Sequence, residues 1–151
     1  MNRVYRCYAE KRPGFDVEAQ QLYSELKEQL GMEGLTGVRI LYRYDVERIS
    51  EAVYRQAEGT VFSEPMVDSF YEEEPPAMDG PHTILAVEAL PGQFDQRADS
   101  CAQCIQLLAG CDRPLVKAAT LYVLQGDISP EERQKAAGYL INPVERREAA
   151  M

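Results

Sequence analysis

The hydrophobic positions of the chain recur with two different periods, which predict its strands and helices. A period of two, typical of a half-buried strand, runs through Val38, Ile40, Tyr42, Tyr44 and Val46, and the polar outer positions between them include Arg39, Arg43 and Asp45. Steps of three and four, typical of an amphipathic helix, run through Ala19, Leu22, Tyr23, Leu26 and Leu30. Similar segments follow one another along the chain, and their order predicts a β-α-β-α-β unit.

The first unit is predicted over residues 1–71. Its strands cover residues 4–11, 38–46 and 66–71, and its helices lie between them. Asp16 is expected to cap the first helix through its carboxylate, and Gly31 to end that helix in the left-handed conformation. Ser50 is expected to cap the second helix, which runs roughly to Gly59 or Phe62 and ends before Pro65.

The second unit is predicted over residues 82–151, with strands at 83–90 and 117–124 and a last strand from Val144. Asp95 is expected to cap a helix that Gly110 ends. Ser129, Pro130 and Glu132 have the spacing of a capping box with proline at the first helical position. Residues 72–81 combine acidic residues, prolines and a glycine, which predicts a solvated linker that adds little to the core.

The two units match at a constant offset. Asp16 and Asp95, Gly31 and Gly110, Ser50 and Ser129, and Gly59 and Gly138 are all 79 positions apart, and Pro13-Gly14 matches Pro91-Gly92. Each unit is too short to bury a comfortable core alone. We therefore expect an α+β fold, a two-layer sandwich in which an internally duplicated unit forms a pseudo-dimer about an approximate two-fold axis. The short end of the second unit also predicts that the sequence is a piece of a longer polypeptide.

The charge balance of the chain restricts its partners. Its 16 basic and 25 acidic residues give a net charge of −9, which argues against nonspecific binding to nucleic acid and against an anionic membrane surface. No apolar run reaches the length of a membrane span, and the first residues lack the apolar segment of a signal peptide. We expect a cytoplasmic protein without a nucleic-acid or membrane partner.

Two features could carry chemistry, and each has a simpler interpretation. Cys101 and Cys104 have the CxxC spacing of a redox pair or half a zinc site, but Cys101 lies on the apolar stripe of its helix, which favours buried cysteines. His82, the only histidine, has no nucleophile signature beside it and is interpreted as a loop residue. Phosphate-loop motifs are absent from the sequence, so no catalytic, cofactor-binding or metal-binding residue is assigned.

The most distinctive segment is PGQFDQRADS, residues 91–100. It could be a solvated helix start, or it could be an interface in which Arg97, with Asp95 and Asp99, presents a charged fork to a partner. The candidate interface residues are Gln93, Asp95, Arg97 and Asp99.

That segment, together with AQCIQ at 102–106, resembles the N-terminal region of phosphoribosylformylglycinamidine synthase, in its long single-chain clostridial form. Three further segments are similar to the same family: Tyr44-Asp45-Val46, VFSEP at 61–65 and INPVE at 141–145. The resemblance spans essentially the whole chain. It implies a fused pair of PurS-like units at the start of an ATP- and glutamine-dependent ligase of purine biosynthesis, which converts formylglycinamide ribonucleotide to formylglycinamidine ribonucleotide.

The resemblance also implies what this region does not do. ATP and Mg would belong to downstream synthetase domains of the same chain, and glutamine hydrolysis to a glutaminase domain or subunit. The region itself would hold these partners together for ammonia transfer, through effective concentration and geometry. The alternative is an ACT-like regulatory module that senses a small molecule, since such modules also use small duplicated α/β units.

Overall fold

The computed structural model describes residues 3–151, which form a mixed α+β fold of one six-stranded antiparallel sheet and four helices. The strands are β1 (Tyr5–Lys11), β2 (Leu35–Glu47), β3 (Asp68–Glu72), β4 (His82–Ala89), β5 (Leu115–Gly126) and β6 (Arg146–Glu148). The helices are α1 (Val17–Gln29), α2 (Glu51–Ala57), α3 (Gln96–Ala109) and α4 (Pro130–Leu140), and one π-helical turn (Glu58–Phe62) extends α2.

The strand order across the sheet is β3-β1-β2-β5-β4-β6. The two long strands β2 and β5 lie at the centre and pair antiparallel over nearly their whole length, with Leu41 opposite Leu121. A bulge lies between Leu35 and Gly37, where the β2 register shifts against β5. The long central pairing joins residues from either side of the 72–81 segment into one continuous sheet.

Local sequence explains most of the helix boundaries. The Ser129 hydroxyl accepts from Glu132 N at 3.1 Å while the Glu132 carboxylate accepts from Ser129 N, so the predicted capping box is confirmed. Gly31 and Gly110 have φ of +62° and +60° and follow the ends of α1 and α3, as predicted for left-handed stops.

The predicted cap of α1 is wrong in its contacts. Asp16 does precede the helix, but its side chain accepts no first-turn amide. Instead its carboxylate accepts from Gly14 N and from the side chain of Gln20, both at 3.2 Å. The carboxylate therefore stabilises the turn before the helix, an Asx-type contact that competes with capping.

The four helices cover one face of the sheet in two pairs. Beside α1 and α4 lies a cluster whose fully buried members include Leu26 and Ala136, and beside α2 and α3 lies a second cluster with Tyr54 and Ile105. We call this side the helix face. Each pair joins a helix from before residues 72–81 to one from after them, so the core draws on both parts of the chain.

The opposite face of the sheet is buried at its centre although no helix covers it. The buried members of this cluster are Tyr8, Leu41, Ala86, Ala119, Leu121, Val123 and Ala149. Arg43, expected to be a polar outer position of a half-buried strand, is only 4% exposed. Its Nη2 donates to Ala150 O at 2.9 Å, and the neighbouring Arg6 donates to Met151 O at 3.3 Å. The residues after β6 therefore help to close this face.

The 72–81 segment also contributes to that closure, contrary to its expected role as a solvated connection. Met78 packs against the buried cluster on the face opposite the helices, and its sulfur accepts from Arg39 Nη1 at 3.2 Å. Glu73 and Glu74 are exposed, as the composition predicts. Met78 thus connects a largely polar segment to the sheet.

Candidate functional site

A groove of about 600 Å³ opens on the helix face between the two helix pairs. Tyr42 and Tyr44 of β2 line its floor together with Thr120 and Tyr122 of β5. Other side chains on this face of β2 and β5 pack under the helices. Between the two helix pairs no helix covers the strands, so these four side chains form the floor of the groove. The groove therefore crosses the middle of the sheet.

The walls of the groove are polar and come from four elements. Glu18 lies at the start of α1, Arg97 and Ser100 in the first turns of α3, Leu140 at the end of α4, and Arg146 on β6. Arg146 lies opposite Ala89 of β4, which places both on the helix face of the sheet. Side chains from distant parts of the chain thus meet around one opening.

Arg97 is held by two tyrosines on the groove floor. Its guanidinium carbon lies 3.6 Å from the centroid of the Tyr42 ring, a cation–π contact. Its Nη1 donates to the Tyr44 hydroxyl at 3.3 Å. Because α3 begins at Gln96, a side chain at the second helical position can lean back towards the helix start and reach the groove floor.

The phenols of the groove remain protonated around neutral pH. Burial is the main cause that raises the pKa of Tyr42, Tyr44 and Tyr122 above the ordinary value. For Tyr42, the hydrogen bond from its hydroxyl to Glu18, at 2.8 Å, acts in the same direction. A protonated phenol can donate a hydrogen bond, so the floor is a source of donors.

The structure separates the candidate interface residues instead of grouping them. The Asp95 carboxylate accepts from Ala98 N at 3.2 Å and caps α3 as predicted. Asp99 pairs with Arg113 at 2.5 Å, and Gln93 lies exposed in the turn before the helix. Arg97 pairs with neither Asp95 nor Asp99, because each carboxylate has its own partner and Arg97 turns towards the tyrosines.

The two cysteines of the CxxC pair lie in different environments. Cys101 is 5% exposed, as its place on the apolar stripe predicts, and burial raises its pKa to about 12. A reactive thiol has a lowered pKa. Cys104 is exposed, so the expectation that both cysteines are buried is wrong for the second one.

Residues 3–151 contain no candidate metal cluster and no candidate membrane-spanning helix. No group of three or more His, Cys, Asp or Glu side chains there is arranged to hold a metal ion. His82 is exposed at the start of β4, with Nδ1 3.1 Å from Gly80 O. Over the same described range, no helix combines the length and the apolar character that crossing a bilayer requires.

Sequence patterns single out Arg97 but not the residues around it. Glu18, Tyr122 and Arg146 were not predicted as site residues, because no local motif contains them and only the folded sheet brings them to the groove. One signal was available: Arg97 and Glu18 are 79 positions apart, at matching places in the two predicted units.

Comparison of the chain with protein-family models finds no match, and comparison with curated proteins finds none.

Proposed function

We propose that the chain is the N-terminal assembly region of phosphoribosylformylglycinamidine synthase. In this proposal it performs no chemistry of its own. It associates with the synthetase domains, which bind ATP and Mg, and with a glutaminase domain or subunit, so that ammonia passes between them. The proposal starts from the sequence resemblance and is supported by the geometry of the sheet.

The order of the strands is the observation that carries the proposal. From the centre outwards, one half of the sheet reads β2, β1, β3 and the other half reads β5, β4, β6. This is the order expected when two β-α-β-α-β units associate through their second strands about a two-fold axis. A fused pair of PurS-like units would have this arrangement.

The helix layer supports the same interpretation. In a two-fold pair, the first helix of each unit lies beside the second helix of the other. The clusters join α1 with α4 and α2 with α3, which is this pairing. Such exchange of contacts would make neither unit complete without the other, as expected of a subunit pair that became one chain.

The turn before α3 is the surface we assign to partner contacts. Gln93 is exposed there, and Phe94 is 74% exposed beside it. An exposed aromatic flanked by polar residues is a common composition for an interface core. Asp95 and Asp99 would act indirectly, by fixing the helix start and Arg113, while Arg97 faces the groove.

Two experiments on the complete protein test the proposal. The coding sequence beyond Met151 should encode a synthetase with phosphate-binding glycines. In that enzyme, Phe94→Ala and Gln93→Ala should lower glutamine-dependent synthesis and spare ammonia-dependent synthesis, because only the first needs the glutaminase docked. Lys135→Ala, on the exposed side of α4, is the matched control. Equal activity of all variants with glutamine would contradict the assignment.

A small-molecule sensor of the ACT-like kind is the competing proposal, and partner binding distinguishes the two. An assembly region should bind synthetase or glutaminase without any added metabolite. A sensor should change its association or its partner's activity only when its ligand is present.

A further inference from the structure

The groove holds two arginines that lack the partners most other arginines have. Arg6, for example, forms an ion pair with Asp45 at 2.7 Å, and Arg39 forms one with Glu10 at 2.6 Å. Within residues 3–151, neither Arg97 nor Arg146 has a carboxylate within 4.0 Å. In a chain with a net charge of −9, two such cations facing one opening are unexpected.

The acids of the same groove are already engaged. The Glu18 carboxylate accepts from the Tyr42 hydroxyl at 2.8 Å, and the Asp95 carboxylate accepts from Ala98 N at 3.2 Å. Each carboxylate is thus oriented towards a neutral donor of the protein, and its charge stays in place. Hydrogen-bond donors that no carboxylate occupies remain on Arg97 and Arg146.

The floor adds neutral donors to the two cations. The Tyr44 hydroxyl accepts from Arg97, which leaves its own hydrogen free to donate. Among residues 3–151, the Tyr122 hydroxyl has no hydrogen-bond partner, and it lies on the same floor. The hydroxyls of Ser100 and Thr120 lie beside them. A ligand rich in acceptors and carrying negative charge fits this set.

We propose that the groove binds a small organic anion through a phosphate or carboxylate group held by Arg97 and Arg146. The guanidinium of Arg97 is oriented in advance by Tyr42 and Tyr44, which lowers the entropy lost when it grips an anion. A volume of about 600 Å³ suits a ligand of metabolite size. The ligand would contact β2, α3, β5 and β6 together and so bridge the two parts of the chain.

Calorimetric titration of the whole chain tests the proposal with three probes: inorganic phosphate, ribose 5-phosphate and L-glutamate. At least one should bind, and the comparison between them shows whether the site takes phosphate or carboxylate. Arg97→Ala and Arg146→Ala should each lower the affinity for the probe that binds by at least about tenfold, since a charge-assisted hydrogen bond contributes that much. Circular dichroism checks that both variants are folded.

Lys135→Ala removes one positive charge from the exposed side of α4, outside the groove, and is the control for net charge. It should change the affinity by less than about twofold. The proposal is overturned if no probe binds up to about 10 mM. It is also overturned if Lys135→Ala weakens binding as much as the groove variants do, or if both groove variants bind like the unchanged chain.

The proposal goes beyond the assembly role and does not depend on it. Titration of the chain alone needs neither synthetase nor glutaminase, so a negative result would leave the assembly proposal standing. Conversely, loss of partner binding would say nothing against an anion in the groove.

Discussion

The starts of α1 and α3 carry an aspartate at the same place in two similar segments, yet the two carboxylates act differently. Asp95 accepts a first-turn amide and caps α3, whereas Asp16 bonds to Gly14 N and to the Gln20 side chain. The turn before α3 is longer by one residue, Gln93. The comparison teaches that matching residues preserve a boundary between elements without preserving the contacts made there.

The second residue of α1 and the second residue of α3 also differ in what they do. Glu18 and Arg97 occupy matching places, and both side chains line the groove. One is an acid that accepts from Tyr42, and the other is a cation lying on the same ring. Two positions that match in the sequence thus place opposite charges in the same groove.

Buried positions should show the largest effects and the strongest likeness between the halves. Leu26 and Ile105 are 79 positions apart, and both are fully buried. Truncating either to alanine should lower the free energy of unfolding by about 2–5 kcal/mol, from lost burial and the cavity left behind. Urea unfolding followed by circular dichroism measures both.

The control for that pair is Leu107→Ala, since Leu107 is 86% exposed and its loss should cost less than about 0.5 kcal/mol. Each variant should unfold in one transition, because β2 and β5 join the halves into one sheet. Two separate transitions would show that the halves are independent, contrary to the shared core described here.

The helix caps should give a smaller effect that distinguishes the halves. Asp95→Ala should cost about 1 kcal/mol because it removes a cap, while Asp16→Ala should cost only a few tenths because no first-turn amide depends on it. Asp95→Asn, which retains the accepting oxygen, should keep most of the stability. Equal losses at Asp16 and Asp95 would mean that the two starts do not differ as the contacts indicate.

Cys101 lies at the position that matches Leu22, and its effect on stability is expected to depend on pH. Burial raises the pKa of Cys101 from its usual 9.0 to about 12. Above pH 9 the unfolded chain loses this proton before the folded chain does, so alkaline pH favours unfolding through this group. Stability should therefore fall between about pH 9 and about pH 12.

Cys101→Ala should cost about 1 kcal/mol or less at neutral pH and should make the alkaline decline shallower. Cys104→Ala, at an exposed position, should leave the decline unchanged. Free energies of unfolding measured across this pH range compare the two. An alkaline decline that Cys101→Ala does not alter would argue against burial of this thiol.

Local patterns predicted the elements well because their causes are local. The first strand was expected at residues 4–11 and lies at Tyr5–Lys11, and the capping box at Ser129 follows from residues three apart. The α+β class follows from the same alternation of periods. These features depend on neighbours within one or two turns of the chain.

The second face of the sheet and the groove depend instead on residues far apart in sequence. Arg43 was expected at a polar outer position because nothing near it indicates the cover that residues after β6 provide. Met78 likewise lies in a segment whose composition indicates only solvent. Tyr122 and Arg146 meet Arg97 only through the order of the strands, which periodicity does not determine.

The central claim, that this chain is an assembly region, is tested most directly by sedimentation velocity. The chain would be mixed with a phosphoribosylformylglycinamidine synthetase lacking the corresponding region and with the glutaminase. The account predicts a single faster-sedimenting complex that contains all three and that weakens with Phe94→Ala but not with Lys135→Ala. Three components that sediment as they do separately would contradict it.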